Sequence, residues 1–234
     1  MKLASLEDGP EGRLFVVSDD MGWRISAAEI APTMSAAMAD WDRCEPLLRG
    51  VAAFLNRGAQ RFVRFEPAAC ESACRGTVAP GEAAEFSRGA AVMVGPVAKG
   101  ASRTEAAAAV RLVMLQMDGP MGPARAPLAV TVDVLGEAWR DGRLTCAPTI
   151  EIDADLAASA PVVFDFAAAI QEAARDGGLA GGSVVSLSDL RPTKAAKLAE
   201  GEVVRYELRD ALSRSTFGAV ELRATVAAEA REVA

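Results

Sequence analysis

The sequence predicts an α+β protein in which strands predominate. Short apolar segments alternate with Gly- and Pro-rich turns along most of the 234 residues, and few strands are separated by a helix long enough for a full crossover. We therefore do not expect a doubly wound parallel sheet. Hydrophobic residues make up 51% of the chain, which allows a sizeable core, but no apolar run reaches the ~18 residues that a membrane helix requires.

The N-terminal part predicts a hairpin with a third strand, followed by two helices. Thr33 has the residue type and position of an N-cap for the first helix, which runs toward Asp40. Pro46 is expected to interrupt the helical pattern, so the second helix is predicted only over 47–56. Three strands precede the helices, over residues 1–6, 14–18 and 24–27.

A segment without clear periodicity separates this part from the rest of the chain. Residues 66–84 contain several Gly and Pro residues and predict a loop or linker. The sequence is accordingly divided into a small N-terminal domain, 1–75, and a larger domain, 76–234.

The larger domain predicts strands interspersed with helices. Ser102 is placed as the cap of a helix over 103–109, and a second short helix is predicted over 134–139. The clearest helical pattern begins near Pro161, since apolar residues from Val162 onward recur at helical spacing. Strands are predicted over residues 86–94, 110–117, 128–132, 144–152, 183–187 and 202–208.

The composition excludes several classes of function. The chain has 25 Lys and Arg against 32 Asp and Glu, so its net charge is -7 and nucleic-acid binding is not expected, because neutralised phosphates supply much of that affinity. It has no histidine, which excludes Ser-His-Asp and Cys-His catalysis and His-ligated zinc. The beginning of the chain lacks the apolar core of a signal peptide, so its four cysteines are predicted to be reduced thiols in the cytoplasm.

Several segments resemble the fumarylacetoacetate hydrolase family, and they occur in the family's order. The opening MKLASLEDGPEGRLFVVSDD is similar to the N-terminal hairpins of bacterial members. The resemblance implies a small SH3-like N-terminal β domain followed by a mixed β-sandwich roll of the fumarylacetoacetase type. Further similar segments are residues 30–33, 39–42, 111–115, 135–142, 182–185 and 217–219.

The resemblance also implies a metal site. Family members hold Mg²⁺ or Mn²⁺ by an E-x-E pair on one strand and a later Asp, and they hydrolyse or decarboxylate oxo acids. Alternate residues of a strand face the same side, and carboxylate oxygens suit these hard cations. The bound ion polarises the substrate oxygens as a Lewis acid.

The site residues of the family are mostly missing from this sequence. Ser87 and Gly89 occupy the two glutamate positions, and neither ligates a hard cation well. Arg88, between these two positions, adds local positive charge, and Asp118 is the one family-matching ligand. The substrate-contacting Thr of the family falls on Asp189. The family's His, Lys-bearing segment and substrate loops have no counterpart, so no catalytic residue is assigned and no cofactor is expected.

A shifted register over 82–94 is the alternative reading of this segment. It would bring Glu82 and Glu85 to the metal position. Their spacing of three suits one face of a helix better than one face of a strand.

Two functions are consistent with this pattern. The first is a degenerate, non-catalytic family member that acts as a structural, regulatory or partner subunit. The alternative is a divergent metal-dependent C–C bond hydrolase or decarboxylase of oxo acids, which would use Mg²⁺ or Mn²⁺ in an altered or shared site. Because family members are typically dimers, the expected partner is a second copy of the chain or a full-length family paralogue, with neither nucleic acid nor a membrane involved.

Overall fold

The computed structural model describes residues 1–6, 12–58, 62–70, 75–78, 83–84, 86–119, 122–158, 160–189, 196–210 and 213–224. The α-helices in these ranges are α1 (Met34–Ala39), α2 (Trp41–Asn56), α3 (Arg103–Ala108) and α4 (Phe166–Ala173). Two 3₁₀ segments cover Pro67–Ala69 and Val132–Ala138. The strands are β1 (Lys2–Leu6), β2 (Arg13–Val17), β3 (Trp23–Ser26), β4 (Val63–Arg64), β5 (Arg75–Val78), β6 (Ala83–Ala84), β7 (Ser87–Val94), β8 (Val110–Gly119), β9 (Gly122–Val130), β10 (Trp139–Arg140), β11 (Arg143–Cys146), β12 (Thr149–Ile152), β13 (Asp155–Ala158), β14 (Val162–Asp165), β15 (Val184–Ser188), β16 (Ala196–Lys197), β17 (Val203–Glu207) and β18 (Val220–Ala224).

One antiparallel sheet runs through both parts of the chain. Its eight strands lie in the order β15-β7-β8-β9-β1-β2-β3-β4. The predicted N-terminal hairpin is confirmed, since β1 pairs with β2 and Leu3 lies opposite Val16. The other side of β1 pairs with β9, where Lys2 lies opposite Val130. The sheet is therefore continuous across residue 75, the position of the predicted domain boundary.

The two faces of this sheet carry two separate hydrophobic cores. Successive side chains of a strand point to opposite faces, so Leu3 belongs to one core and Ala4 to the other. The first core, which includes Leu3, lies under α2. This helix contributes a buried stripe at helical spacing, made of Trp41, Cys44, Leu48, Ala52 and Leu55.

Smaller sheets supply much of the second core, which includes Ala4. A five-stranded sheet has the order β13-β12-β17-β18-β5, a three-stranded sheet has the order β10-β11-β14, and β16 pairs with β6. Strand β5 is parallel to β18, with Gly76 opposite Leu222. The prediction of a linker over 66–84 is therefore wrong for β5 and β6, because pairing with distant strands orders segments that have no periodicity of their own.

The predicted class, α+β with strands predominating, is confirmed. Two predicted helix caps are also present. The Oγ1 of Thr33 accepts a hydrogen bond from the backbone N–H of Ala36 at 3.1 Å, and Ser102 forms a capping box with Glu105. None of the helices in the described ranges is long and apolar enough to cross a membrane.

Pro46 does not interrupt the second helix as predicted. Helix α2 runs from Trp41 to Asn56 with Pro46 inside it. Proline removes one N–H donor and crowds the preceding turn. The burial of the apolar stripe on both sides of Pro46 outweighs this cost, since each fully buried large apolar side chain contributes about 1.5–3 kcal/mol.

Two further boundaries differ from the prediction. The segment 144–152 forms two strands, β11 and β12, which join different sheets on either side of Pro148. The segment Val162–Asp165 is strand β14 rather than the start of a helix. Helix α4 begins one residue later, where the carboxylate of Asp165 accepts a hydrogen bond from the backbone N–H of Ala168 at 3.1 Å.

The close approach of α3 and α4 leads to a prediction at Gly142. A Cβ there would lie 2.7 Å from the Cβ of Ala167 and 2.9 Å from that of Ala107, and φ is +75°. Gly100 has a similar φ of +69° but open space around the Cβ position. We expect Gly100→Ala to cost about 1–2 kcal/mol from the left-handed backbone alone. Gly142→Ala should cost a further ~1–3 kcal/mol, because the two helices must move apart.

Urea denaturation of the two variants and the wild type measures the loss in the free energy of unfolding from the backbone and from packing. Equal losses of stability in the two variants would contradict the packing argument.

Candidate functional site

Strands β7 and β8 bring the predicted site positions together. Ser87 lies opposite Asp118, and Gly89 lies opposite Gln116. Since alternate residues of a strand share a face, all four positions lie on one face of the eight-stranded sheet. The structure thus groups the three positions that the sequence assigned to a metal site, and it adds Gln116 to them.

Asp118 belongs to a chain of hydrogen bonds that crosses four strands. Its Oδ1 accepts a hydrogen bond from Gln116 Nε2 at 2.9 Å, and its Oδ2 accepts one from Ser188 Oγ. The Oε1 of the buried Gln116 accepts from Ser186 Oγ and from Arg125 Nε, both at 3.2 Å. Both carboxylate oxygens of Asp118 are therefore already hydrogen-bonded to side chains of their own sheet, and the network extends from β15 across β7 to β8 and β9.

Gly89 occupies a position with no room for a side chain. A Cβ would lie 2.9 Å from the carbonyl oxygen of Leu187 and 3.1 Å from that of Gln116. Both are backbone atoms of the neighbouring strands, so a side chain would have to spread the sheet. The buried hydroxyl of Tyr206 also donates a hydrogen bond to the carbonyl oxygen of Gly89 at 3.0 Å, which holds β7 against the five-stranded sheet.

Arg88 lies on the opposite face of β7 and forms a buried ion pair. Its Nη2 lies 2.5 Å from Asp189 Oδ2, and its Nη1 donates to the carbonyl oxygen of Ala160 at 2.5 Å. Arg88 is 5% exposed and Asp189 is 8% exposed. The local positive charge that Arg88 adds to this segment therefore faces away from Ser87, Gly89 and Asp118. Asp189, at the position of the family's substrate-contacting Thr, is its counter-ion.

Two other ionisable side chains lie near this ion pair. Burial raises the pKa of the Cys146 thiol to about 12, although the charge of Arg88 opposes the change. Burial also raises the pKa of Tyr206 well above its ordinary value. Both groups stay protonated at neutral pH, so neither has the pKa of a nucleophile or a general base.

The residues at this site do not fit the divalent cation that the resemblance implied. Ser87, Gly89 and Asp118 supply one carboxylate between them, whereas hard cations are held by several oxygen ligands. Within the described residues, no group of three Asp, Glu or Cys side chains is placed to hold a metal ion. Glu82 and Glu85, the ligands of the shifted register, lie outside the described residues.

Sequence reasoning identified Asp118 but missed the residues that bind it. The alternation of polar residues on β8 and β15 was a usable signal, because it puts Gln116 and Asp118 on one face and Ser186 and Ser188 on one face. What the sequence does not contain is the pairing of β15 with β7, a contact between strands far apart along the chain.

Comparison with known proteins shows which fold this architecture resembles. Residues 1–74 match the family described as Fumarylacetoacetase N-terminal domain 2. The crystal structure of maleylpyruvate hydrolase from Sphingobium sp. SYK-6 matches over 97% of this chain and 100% of its own, with a TM-score of 0.71 and 15% identity. The chain has the fumarylacetoacetate hydrolase fold.

The resemblance noted in the sequence is thus confirmed. Two more solved structures with the fumarylacetoacetate hydrolase fold each match over 97% of this chain and 100% of their own. One is the same Sphingobium enzyme in complex with manganese(II) and pyruvate, with a TM-score of 0.69 and 16% identity. The other is the fumarylacetoacetate hydrolase from psychrophilic Exiguobacterium antarcticum, with a TM-score of 0.57 and 14% identity. No curated protein matches the sequence.

The buried ion pair gives a stability prediction. Arg88→Met or Asp189→Leu alone should cost about 3–5 kcal/mol, because each change leaves a buried charge without its partner. The double variant should recover most of that loss, since two apolar side chains carry no desolvation penalty. Arg140→Ala is the control, because Arg140 pairs with Glu137 on an exposed surface and such pairs contribute about 0–1 kcal/mol.

Chemical denaturation of the four variants reports these differences. Single-variant losses below about 1 kcal/mol, or a double variant as unstable as the sum of the singles, would show that the pair is not a coupled buried unit.

Proposed function

We propose that this chain is a non-catalytic member of the fumarylacetoacetate hydrolase family that acts as a structural or regulatory subunit. The observation that carries the proposal is the blocked position of Gly89, where a glutamate side chain has no space between the carbonyl oxygens of Leu187 and Gln116. A metal-binding E-x-E pair therefore cannot be restored at this site without a change in the spacing of the strands.

The hydrogen bonds of Asp118 support the same conclusion. Its two oxygens accept from Gln116 and Ser188, so the one remaining carboxylate is stabilised by neutral donors and needs no cation. Cys146 and Tyr206 stay protonated at neutral pH and supply no base. Asp118, Gln116, Ser186 and Ser188 on this face are joined by hydrogen bonds, as expected of a surface with a structural rather than a chemical role.

We also propose that the subunit associates through its C-terminal half. In the described part of the chain, β15 lies at one end of the eight-stranded sheet, with β7 as its paired strand, and an end strand is where another chain can add to a sheet. Val184 on β15 and Val163 on β14 are exposed apolar side chains in this region. A second copy of the chain is the favoured partner because symmetric dimers are the commonest assembly, and a full-length family paralogue is the other candidate.

The reducing cytoplasm is the compartment we assign to the protein. Cys44 and Cys146 are buried thiols, which is the ordinary state of cysteine in that compartment.

The poor fit of Ser87, Gly89 and Asp118 to a divalent cation gives a prediction for thermal stability. Added Mg²⁺ or Mn²⁺ should leave the melting temperature of the wild type unchanged, because an ion raises it only by binding the folded state specifically. The melting temperature of the Asp118→Ala variant should likewise not change when metal is added. Differential scanning fluorimetry of both forms measures this, with the maleylpyruvate hydrolase from Sphingobium sp. SYK-6, whose structure holds manganese(II), as the positive control.

The alternative function, a metal-dependent hydrolase or decarboxylase of oxo acids, makes the opposite prediction. A Mn²⁺-dependent rise that Asp118→Ala abolishes, together with turnover of oxaloacetate or an acylpyruvate in the enzyme range of about 1–10³ s⁻¹, would overturn the non-catalytic assignment.

The proposed interface gives a prediction for assembly. Size exclusion with light scattering should show a mass of twice 24.3 kDa for the wild type at micromolar concentration. Val184→Glu should shift the protein to the monomer, because it puts a charge on the edge strand. Phe54→Glu is the matched control, since Phe54 is also an exposed apolar side chain but lies on α2 rather than on a C-terminal strand. A 24.3 kDa species for the wild type, both alone and with a full-length paralogue, would remove the proposal.

A further inference from the structure

A pocket of about 440 Å³ has no lining residue on β7 or β8. It opens between the start of β1, helix α2, the 3₁₀ segment at 132–138 and the loop that follows β17. None of the residues that bind Asp118 lines it. Its charged lining groups are the α-ammonium of Met1 and the side chains of Lys2, Asp19, Arg49, Asp133, Asp210 and Arg214.

Five of these seven charges are paired, since Arg49 and the α-ammonium of Met1, 3.7 Å from Asp133 Oδ2, both face Asp133, and Arg214 pairs with Asp210. Arg49 donates to both carboxylate oxygens of Asp133, at 3.2 and 3.0 Å, and burial of Asp133 is outweighed by these bonds, so that its pKa lies well below the usual range. Arg214 Nε donates to Asp210 Oδ2 at 2.9 Å. Within each pair, the positive and negative charges compensate each other. The charged groups that remain to bind a ligand are Lys2 and Asp19.

Lys2 is a buried cation without a counter-ion in the described part of the chain. It is only 5% exposed, and its Nζ donates a single hydrogen bond, to the carbonyl oxygen of Ser215 at 3.2 Å. An ammonium group has three N–H donors, and a buried charge is costly unless it is both paired and hydrogen-bonded. Burial accordingly lowers the pKa of Lys2. An anion in the pocket would supply the missing partner.

Asp19 lies at the rim of the same pocket and offers the complementary group. It is exposed, its backbone N–H donates to Asn56 Oδ1 at 2.8 Å, and its charge raises the pKa of Lys2 without forming an ion pair with it. No described residue donates a hydrogen bond to its carboxylate. A ligand that meets both groups therefore needs an anionic end for Lys2 and a hydrogen-bond donor for Asp19.

We propose that this pocket binds a small carboxylate that carries a hydroxyl or ammonium group on the adjacent carbon. The ligand's carboxylate accepts hydrogen bonds from Lys2 Nζ, and its substituent donates to the carboxylate of Asp19. This site does not include Gly89 or Asp118. Its test is therefore independent of the proposal that the chain is non-catalytic.

Lysine acetylation of the full chain provides the test. The sequence has four lysines, so mass spectrometry can follow Lys2, with fragment ions that distinguish its amine from the adjacent α-amine of Met1 and with the exposed Lys99 as the internal control. Because only the neutral amine reacts, a bound carboxylate that favours the ammonium form slows acetylation. The probes are lactate, alanine and propionate, which differ only in the group on the carbon next to the carboxylate.

Lactate and alanine should each slow acetylation of Lys2 several-fold and leave Lys99 unaffected. Propionate should protect Lys2 about tenfold less well, because it leaves the Asp19 carboxylate without a donor. Asp19→Asn should remove that preference for lactate and alanine. Lys2→Met should abolish the rise in melting temperature that lactate produces, whereas Lys99→Met should keep it.

Several outcomes would overturn the proposal. Unchanged acetylation of Lys2 in wild-type protein with all three probes would show that the pocket does not bind them, and this measurement holds even where Lys2→Met fails to fold. Equal protection by propionate and lactate, or by inorganic phosphate and lactate, would show that Lys2 attracts any anion and that Asp19 selects nothing.

Discussion

The antiparallel pairing of β7 with β8 is the constraint on which the rest of the candidate site depends. Its register puts Ser87 opposite Asp118 and Gly89 opposite Gln116, and the addition of β15 brings Ser188 to the same group. Because the side-chain period of a strand is two, a slip of one residue would exchange this polar face with the buried face that carries Arg88. The register therefore determines both which groups meet and which are buried.

The two faces of β7 satisfy their polar groups in different ways. On one face, Asp118 is held by neutral donors and stays close to solvent. On the other, Arg88 and Asp189 are removed from water and must compensate each other, because an unpaired charge in the interior costs several kcal/mol. On each face these polar groups bind one another, which supports the proposed structural role over a catalytic one.

The continuity of the eight-stranded sheet has a second consequence. Strand β1 joins the N-terminal hairpin to β9, and this junction places Lys2 beside α2 and the loop after β17. Elements from both ends of the chain therefore line one pocket. The paired charges of Arg49 with Asp133 and of Arg214 with Asp210 surround Lys2, whose own charge no described carboxylate neutralises within ion-pair distance.

The sequence by itself determined the local features, namely the N-terminal hairpin, the caps at Thr33 and Ser102, the predominance of strands and the family resemblance, because each depends on short-range patterns of residue types. It also located Ser87, Gly89 and Asp118. Only the tertiary structure decided that Pro46 lies inside a helix, that β5 pairs with β18, that Arg88 faces away from Asp118, and that a side chain at Gly89 is blocked. These features depend on contacts between residues far apart along the chain, where packing and burial outweigh local preference.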